Sequence, residues 1–551
     1  MGSQNLEEKA KIKEIREEIY NGRKEEKFYK ENSFASACYY LTLAFENIMN
    51  YLMSPAVFEI GLRTAQVMQD NKRGAYREAL KNVYKFCKRE TLFSPAYDSS
   101  KLQEAYEEID NAEQFNIVRH MFEKWEMGRL EASLEDKKLV FSRTKTSRSD
   151  DADIYNKILD DLKPEDTRKT NNAPCSSKLM EYMSSPEYAQ KWDEKKQRPK
   201  TKTFFKQIKE SAYQKILLDA EEKSDYTFRE FTLENFREIY AVLLALGVMK
   251  FNYYLVNTIH TPYFCDNKPI IMMNKEDLLN FIYENTKLDK ACISKVLEYL
   301  IYDPEFHEDK IGIFQPLFCF NDVVFYSPML VYFSYAQDKF LYVIKEKKEY
   351  NQVISQWAKN KEKLMTDEIL DFIEEKSQLS FEPNFIIYDG QIKKAEYDIV
   401  LYDDDRNKVL LVELKWFFKA DTERQMMWTD RKLSNAVNDR KEKEKIFKQN
   451  ARQTVQDIFG DVNTEPEIMS CIVSRNWAGS AFVNDDIPVL DEYLFKTILE
   501  DTSFNFDALF KKMKSKDYLP NFTGDGIIYV EEVMNYAGYE IHYPRIGINN
   551  K

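Results

Sequence analysis

Apolar positions recur along most of this chain at helical spacing. From Leu6 to about Lys138 the pattern predicts helix throughout. The opening LEEKAKIKEIREEIYNGRKEEKFYK sets opposite charges four residues apart on a solvated face. ASACYYLTLAFENIMNYLM (Ala35 to Met53) is more apolar, and its Tyr and Met residues read as core. SRTKTSRSDDAD and KPEDTRKTNNAPCSS break the pattern with polar, Pro- and Ser-bearing sequence, which predicts a linker or mobile insertion. Helices resume from about Phe204 to Asn257. Asn274 to Leu300 predicts two helices with Asn274 and Asp289 as N-caps. The second offers only Lys290 and Lys295, so a plain helical hairpin is favoured over a DNA-docking helix-turn-helix. Strands around an Asn321-Asp322 turn and a Pro-started helix follow.

The period changes to 2 near residue 396. EYDIVLYDDDRNKVLLVELKW (Glu396 to Trp416) reads as two strands rich in Val, Ile, Leu and Tyr around a polar turn, Asp403 to Asn407. NDRKEKEKIFKQNARQTVQDIF (Asn438 to Phe459) then predicts a helix and IMSCIVS (Ile468 to Ser474) a strand. The domains expected are a helical one over 1–140, a polar linker or mobile insertion over 141–205, and a second helical one with a small β element over 206–350. An α/β domain over 351–500 follows. An extension over 501–551 carries an amphipathic helix, a turn at Gly524-Asp525-Gly526 and a final strand. The fold class is multidomain α+β, a mostly helical N-terminal region followed by an α/β domain with a mixed central sheet.

Composition adds exclusions. Hydrophobic residues make up 43% of the 551 positions, enough for real cores, and the formal net charge of −13 rules out a globally basic nucleic-acid binder. Seven scattered Cys without a Cys-x-x-Cys pair predict free thiols in a reducing cytoplasm. No N-terminal apolar segment resembles a signal peptide, and the longest apolar run, Tyr240 to Met249, is too short to span a bilayer. A cytoplasmic protein without membrane contact is expected. The four His form no zinc pattern, and neither a phosphate-binding Gly-rich loop nor Gly-x-Ser-x-Gly is present.

Against that background, three charges stand where strands should be apolar: Asp398, Glu413 and Lys415. An ionised group in a core strand costs several kcal/mol unless it is paired or holds a metal. Alternation puts Glu413 and Lys415 on one face with Val409 and Leu411. Tyr402 opposite Asn407 sets Asp398 diagonal to Glu413; Tyr402 opposite Val409 sets them face to face. A five-residue loop would separate them unless a bulge resets the register. The reading adopted is one of the first two. Two carboxylates that close need a cation between them, and hard oxygen donors suit Mg²⁺, with Mn²⁺ as substitute. A neighbouring Lys adds charge for a developing phosphorane. Beyond the hairpin, Arg431, Lys432, Arg440, Lys441, Lys445, Lys448 and Arg452 cluster in a basic segment where a nucleic-acid backbone could lie.

Asp398, a hairpin, then Glu413-Leu414-Lys415 resembles the D…(D/E)-x-K signature of the PD-(D/E)XK, or restriction-endonuclease-like, nucleases. The resemblance covers about 351–500. It implies Asp398, Glu413 and the Leu414 carbonyl as metal ligands and Lys415 as the catalytic lysine. It also implies a preceding helix with an accessory acid. LMTDEILDFIEE (Leu364 to Glu375) supplies that helix, with Glu368 on its apolar stripe. No Pro precedes Asp398, and Gln449 and Gln453 lack the Tyr that some such nucleases pair with a Gln. The implied activity is Mg²⁺-dependent phosphodiester hydrolysis, DNA favoured over RNA, in restriction or antiviral defence. The helical region would select substrate or a protein partner, or self-associate. The alternative is a non-catalytic nucleic-acid-binding or partner-gated scaffold that retains the fold.

Overall fold

The computed structural model describes residues 6–53, 62–89, 93, 97–126, 128, 130–143, 174–220, 223–259, 269–303, 315–417, 423–460, 462, 464–476, 487–515 and 527–548. The chain is α+β, with a helical N-terminal region and a mixed sheet in its C-terminal part. Helices α1 (Leu6–Gly22), α2 (Phe34–Leu52), α3 (Leu62–Phe86) and α4 (Ser99–Glu126) precede a hairpin, β1 (Leu130–Glu135) and β2 (Lys138–Arg143). That hairpin stands where helix was expected. Leu130 and Leu134 satisfy a helical i,i+4 match, but Leu139 and Phe141 share one face of a strand and are buried, while Lys138 and Val140 on the other face are half-buried.

The expected linker folds in part. Residues 144–173 lie outside the described residues. The chain then forms the helix Pro174–Ser184, a short strand pair, β3 (Trp192–Asp193) and β4 (Arg198–Pro199), and α5 (Lys202–Asp219). Tyr182, Trp192, Phe204 and Phe205 are buried in the helical core. Aromatic burial outweighs the polar composition here, and Phe204 and Phe205, next to the basic stretch EKKQRPKTK (Glu194 to Lys202), are core packing.

Helix α6 (Leu233–Ile259) is the axis of that core. Leu233–Asn257 is long and apolar enough to cross a bilayer, longer than the run seen in the sequence, and 78% of its most apolar window is buried within the protein. Strand β5 (Ile271–Asn274), helices α7 (Lys275–Thr286) and α8 (Lys290–Leu300), and strands β6 (Leu317–Phe320) and β7 (Val323–Tyr326) pack around it. Asn274 and Asp289 cap α7 and α8 through their side chains, accepting from Glu276 N–H and Ala291 N–H. One continuous core runs from Phe28 to Trp357, so the segments expected as separate helical domains share their interior.

After α9 (Asn351–Lys376) come β8 (Ser380–Asp389), β9 (Ile392–Asp403) and β10 (Lys408–Trp416). Helices α10 (Glu423–Gln449) and α11 (Ala451–Phe459), strands β11 (Glu467–Arg475) and β12 (Val489–Asp491), and helices α12 (Glu492–Asp501) and α13 (Phe506–Ser515) complete this part. The five strands form one sheet in the order β12-β11-β10-β9-β8. The pairs β8/β9 and β9/β10 are antiparallel; β10/β11 and β11/β12 are parallel. Met365, Ile369 and Ile373 of α9 join α12 and α13 over one face, against Leu410, Val412 and Leu414. Phe447, Ala451 and Val455 of α10 and α11 cover the other, against Val409 and Leu411. The near-continuous apolar reading of β10 follows from this double burial.

The last strands, β13 (Ile527–Tyr536) and β14 (Tyr539–Ile548), leave that sheet. β14 pairs parallel with β2 and so joins the β1/β2 hairpin in a four-stranded sheet. The expected turn at Gly524-Asp525-Gly526 lies outside the described residues.

Candidate active site

The hairpin register decides what the charged residues can do. Val409 lies opposite Tyr402 and Val412 opposite Ile399, the second of the two pairings that unite the acids. One step further sets Glu413 across from Asp398. The regular ladder stops short of that step, because the Asp398 Oδ2 accepts the Leu414 N–H at 2.6 Å. A side-chain carboxylate thus takes a bond that the backbone of β9 would have made.

Alternation along β9 breaks at the same place. Val400 and Tyr402 face α10 and α11, and Ile399 and Leu401 face the opposite core. Strict alternation would put Tyr397 with Ile399, yet Tyr397 packs on the α10 side, where its hydroxyl donates to the Lys443 carbonyl. On β8, Asn384 has a φ of 53° between the paired Pro383 and Phe385, next to the same break. The distortion directs Asp398 across the gap toward β10. Within one strand residue the N–H and C=O point to the same neighbour, so the Leu414 carbonyl opens toward that gap too.

Glu413 faces α10 and is nearly buried, held by cations on each oxygen. Lys415 Nζ donates to Oε1 at 2.7 Å and Lys443 Nζ to Oε2 at 2.9 Å. Arg440 Nη1 stands 3.6 Å from Oε2. Burial pushes the Asp398 carboxyl up to about 6, reinforced by Glu413 and opposed by the Leu414 N–H. Burial acts on Glu413 in the same sense, but Lys415 and Lys443 outweigh it and hold this carboxyl below its ordinary value. Lys415 meets burial that favours the neutral amine, yet Glu413 raises it, so it is an ammonium at neutral pH.

Glu368 lies elsewhere. It was expected on the apolar stripe of α9 but is exposed beside it, and its carboxylate bonds Arg475, which also holds Glu492 and stacks on Trp416. The α9 acid whose charge reaches Lys415 is Glu362. The sequence offered Lys443 only as one charge of the basic segment and did not single out Glu362; the helix-to-sheet docking is what sets Lys443 on Glu413 and brings Glu362 near Lys415.

The basic segment divides. Arg440 is corrected outright: it is 0% exposed, with its guanidinium 5.0 Å from the Tyr397 ring centroid, and cannot meet a nucleic-acid backbone. Leu433, Ala436, Val437 and Phe447 recur with it at helical spacing on the inward face of α10, a signal that the charge masked. Arg431 and Lys432 are exposed, Lys432 lying 3.5 Å over Trp428. Lys441 is half-buried. Lys445 and Lys448 bond Glu442 and Glu444 of their own helix, and Arg452 donates to the Val462 carbonyl. Lys419, His260 and His307 lie outside the described residues.

Compared with protein-family models, curated proteins and solved structures, the chain matches none.

Among the described residues no group of three or more His, Cys, Asp or Glu side chains gathers as for a metal. The donors at the strand divergence are two carboxylates and one carbonyl. That set suits Mg²⁺, which takes one or two carboxylates and completes its shell with water and substrate phosphate. It does not suit Zn²⁺, which prefers nitrogen and sulfur.

Proposed function

We propose that the part of the chain from α9 to α12 is a metal-dependent nuclease of the restriction-endonuclease-like kind, hydrolysing phosphodiester bonds, with DNA the favoured substrate. One observation carries the reading: Asp398 leaves its strand pattern to meet Leu414 beside Glu413 and Lys415, where two buried strands part. Two carboxylates and a lysine brought together at such a parting are the donor set that a Mg²⁺ ion with a substrate phosphate takes.

In this reading Asp398, Glu413 and the Leu414 carbonyl would hold the divalent ion, which when bound would supply Lewis acidity toward water and phosphate. Lys415 presents its ammonium to the non-bridging phosphate oxygens and steadies charge that grows during attack. Tyr397 and the apolar faces above and below keep water from the buried side of the pair. Glu368, tied to Arg475, keeps α9 against the sheet end and takes no part in the chemistry.

The test is incubation of the full chain with Mg²⁺ or Mn²⁺ and linear, circular and single-stranded DNA and RNA, against an EDTA control. Asp398→Asn retains an acceptor for the Leu414 N–H, and Lys415→Ala removes a half-exposed group. Each is expected to lower cleavage by about 10²-fold or more, as the loss of a charge-stabilising group does. Undiminished cleavage in either variant removes the assignment.

A further inference from the structure

The geometry points to Lys443 as an exchangeable cation: its ammonium holds the divalent ion's place on Glu413 and passes to the substrate phosphate when the ion enters. The inference rests on the nuclease reading and adds a residue that the Asp398, Glu413, Lys415 set lacks.

Three cations crowd one carboxylate. Lys415 bonds Oε1, while Lys443 and Arg440 both address Oε2, at 2.9 and 3.6 Å. Counting Asp398, two acids face three bases, so the pocket is compensated before any divalent ion arrives. An ion bound by Glu413 must therefore replace a resident charge.

The two oxygens are not equivalent in what they lose. Among the described residues, Oε1 has no cation besides Lys415. Without Lys443, Oε2 keeps Arg440, whose guanidinium is fully buried and whose Nε, Nη1 and Nη2 have no hydrogen-bond partner among the described residues. Unsatisfied buried donors are costly, and a fixed cation with unspent donors is what a carboxylate needs when its other partner leaves. The Lys443 backbone stays in place, because its carbonyl accepts from the Tyr397 hydroxyl. Only the flexible side chain moves, and it is partly exposed where Arg440 is fully buried. A displaced ammonium beside a divalent ion has one natural counter-charge, the phosphate that completes the ion's shell.

The test titrates Mn²⁺ into the full chain without nucleic acid, reading free Mn²⁺ by electron paramagnetic resonance. Lys443→Ala and Lys443→Met, the second keeping the aliphatic stem, are expected to bind Mn²⁺ about tenfold tighter than wild type, since a charge-assisted bond no longer competes. Equal or weaker binding in both variants overturns the exchange. Asp398→Asn separates the two failures. If it loses Mn²⁺ while the Lys443 variants match wild type, the exchange is wrong and the metal site survives. If it binds as wild type does, both readings fall.

Discussion

Glu413 serves two needs at once, and its substitution shows the difference between them. Besides offering an oxygen to a cation, it is the nearest counter-charge of the buried Arg440. Glu413→Ala strands that guanidinium and is expected to cost roughly 3 kcal/mol or more of stability. Lys415→Ala, whose side chain is partly exposed, should melt near wild type. Chemical denaturation of both variants checks the contrast, so a loss of cleavage in Glu413→Ala would not by itself speak of chemistry. A second buried acid lies far from this site. Burial pushes the Glu46 carboxyl up to about 8, opposed by the Ser327 hydroxyl and the Met329 N–H. Its folded value exceeds the unfolded one. The stability it lends is therefore complete below the ordinary carboxylate range, declines as pH rises, and is gone above about 8. Glu46→Gln should flatten that slope and melt higher than wild type at pH above about 8. Melting temperatures across the pH range, if parallel for the two proteins, would contradict this.

At the scale of elements, the break in β9 is the feature on which the site depends. Asn384 on β8 holds a left-handed φ beside it, a conformation that Asn and Gly tolerate and a β-branched residue does not. Asn384→Gly is expected to be nearly neutral, whereas Asn384→Val should cost about 1–2 kcal/mol. If the distortion also orients Asp398, the Val variant loses Mn²⁺ affinity out of proportion to its stability. Equal melting points for the two variants would show that the left-handed φ at Asn384 carries no strain. Helix α10 shows the same dependence on context. Its inward face binds the sheet through Leu433, Val437 and Phe447, which carries Arg440 and Lys443 to Glu413.

Strands far apart in sequence tie the molecule together. β14 pairs with β2, and Tyr536, Ile541 and Tyr543 fill a small core with α1, α4, Leu139 and Phe141. Ending the chain after Ser515 removes those three buried side chains, each worth roughly 1.5–3 kcal/mol. Hydrogen exchange should then quicken in α4, β1 and β2 and stay slow in β9 and β10. Faster exchange in the five-stranded sheet instead would show that the C-terminal strands support the site directly. α13 precedes the cut because Phe506, Leu509 and Met513 belong to the core beneath that sheet.

The hairpin, the helix before it and the strand after it were legible in the sequence, because apolar period and turn chemistry are local. So was the unusual placement of Asp398, Glu413 and Lys415, since a charge within an apolar run is visible without coordinates. The single helix expected over 438–459 is two, α10 starting at Glu423 and α11 after a break at Asn450. Three things were decided only by tertiary packing. The register chose between two pairings that the turn alone permits. The docking of α10 turned Arg440 inward and laid Lys443 on Glu413, where charge had suggested a surface stripe. The return of β13 and β14 to β2 joins residues some 400 apart, read from the paired His542 and Val140. Local preference carries no information about such a partner, which is selected by the free energy of burying two sheet faces together.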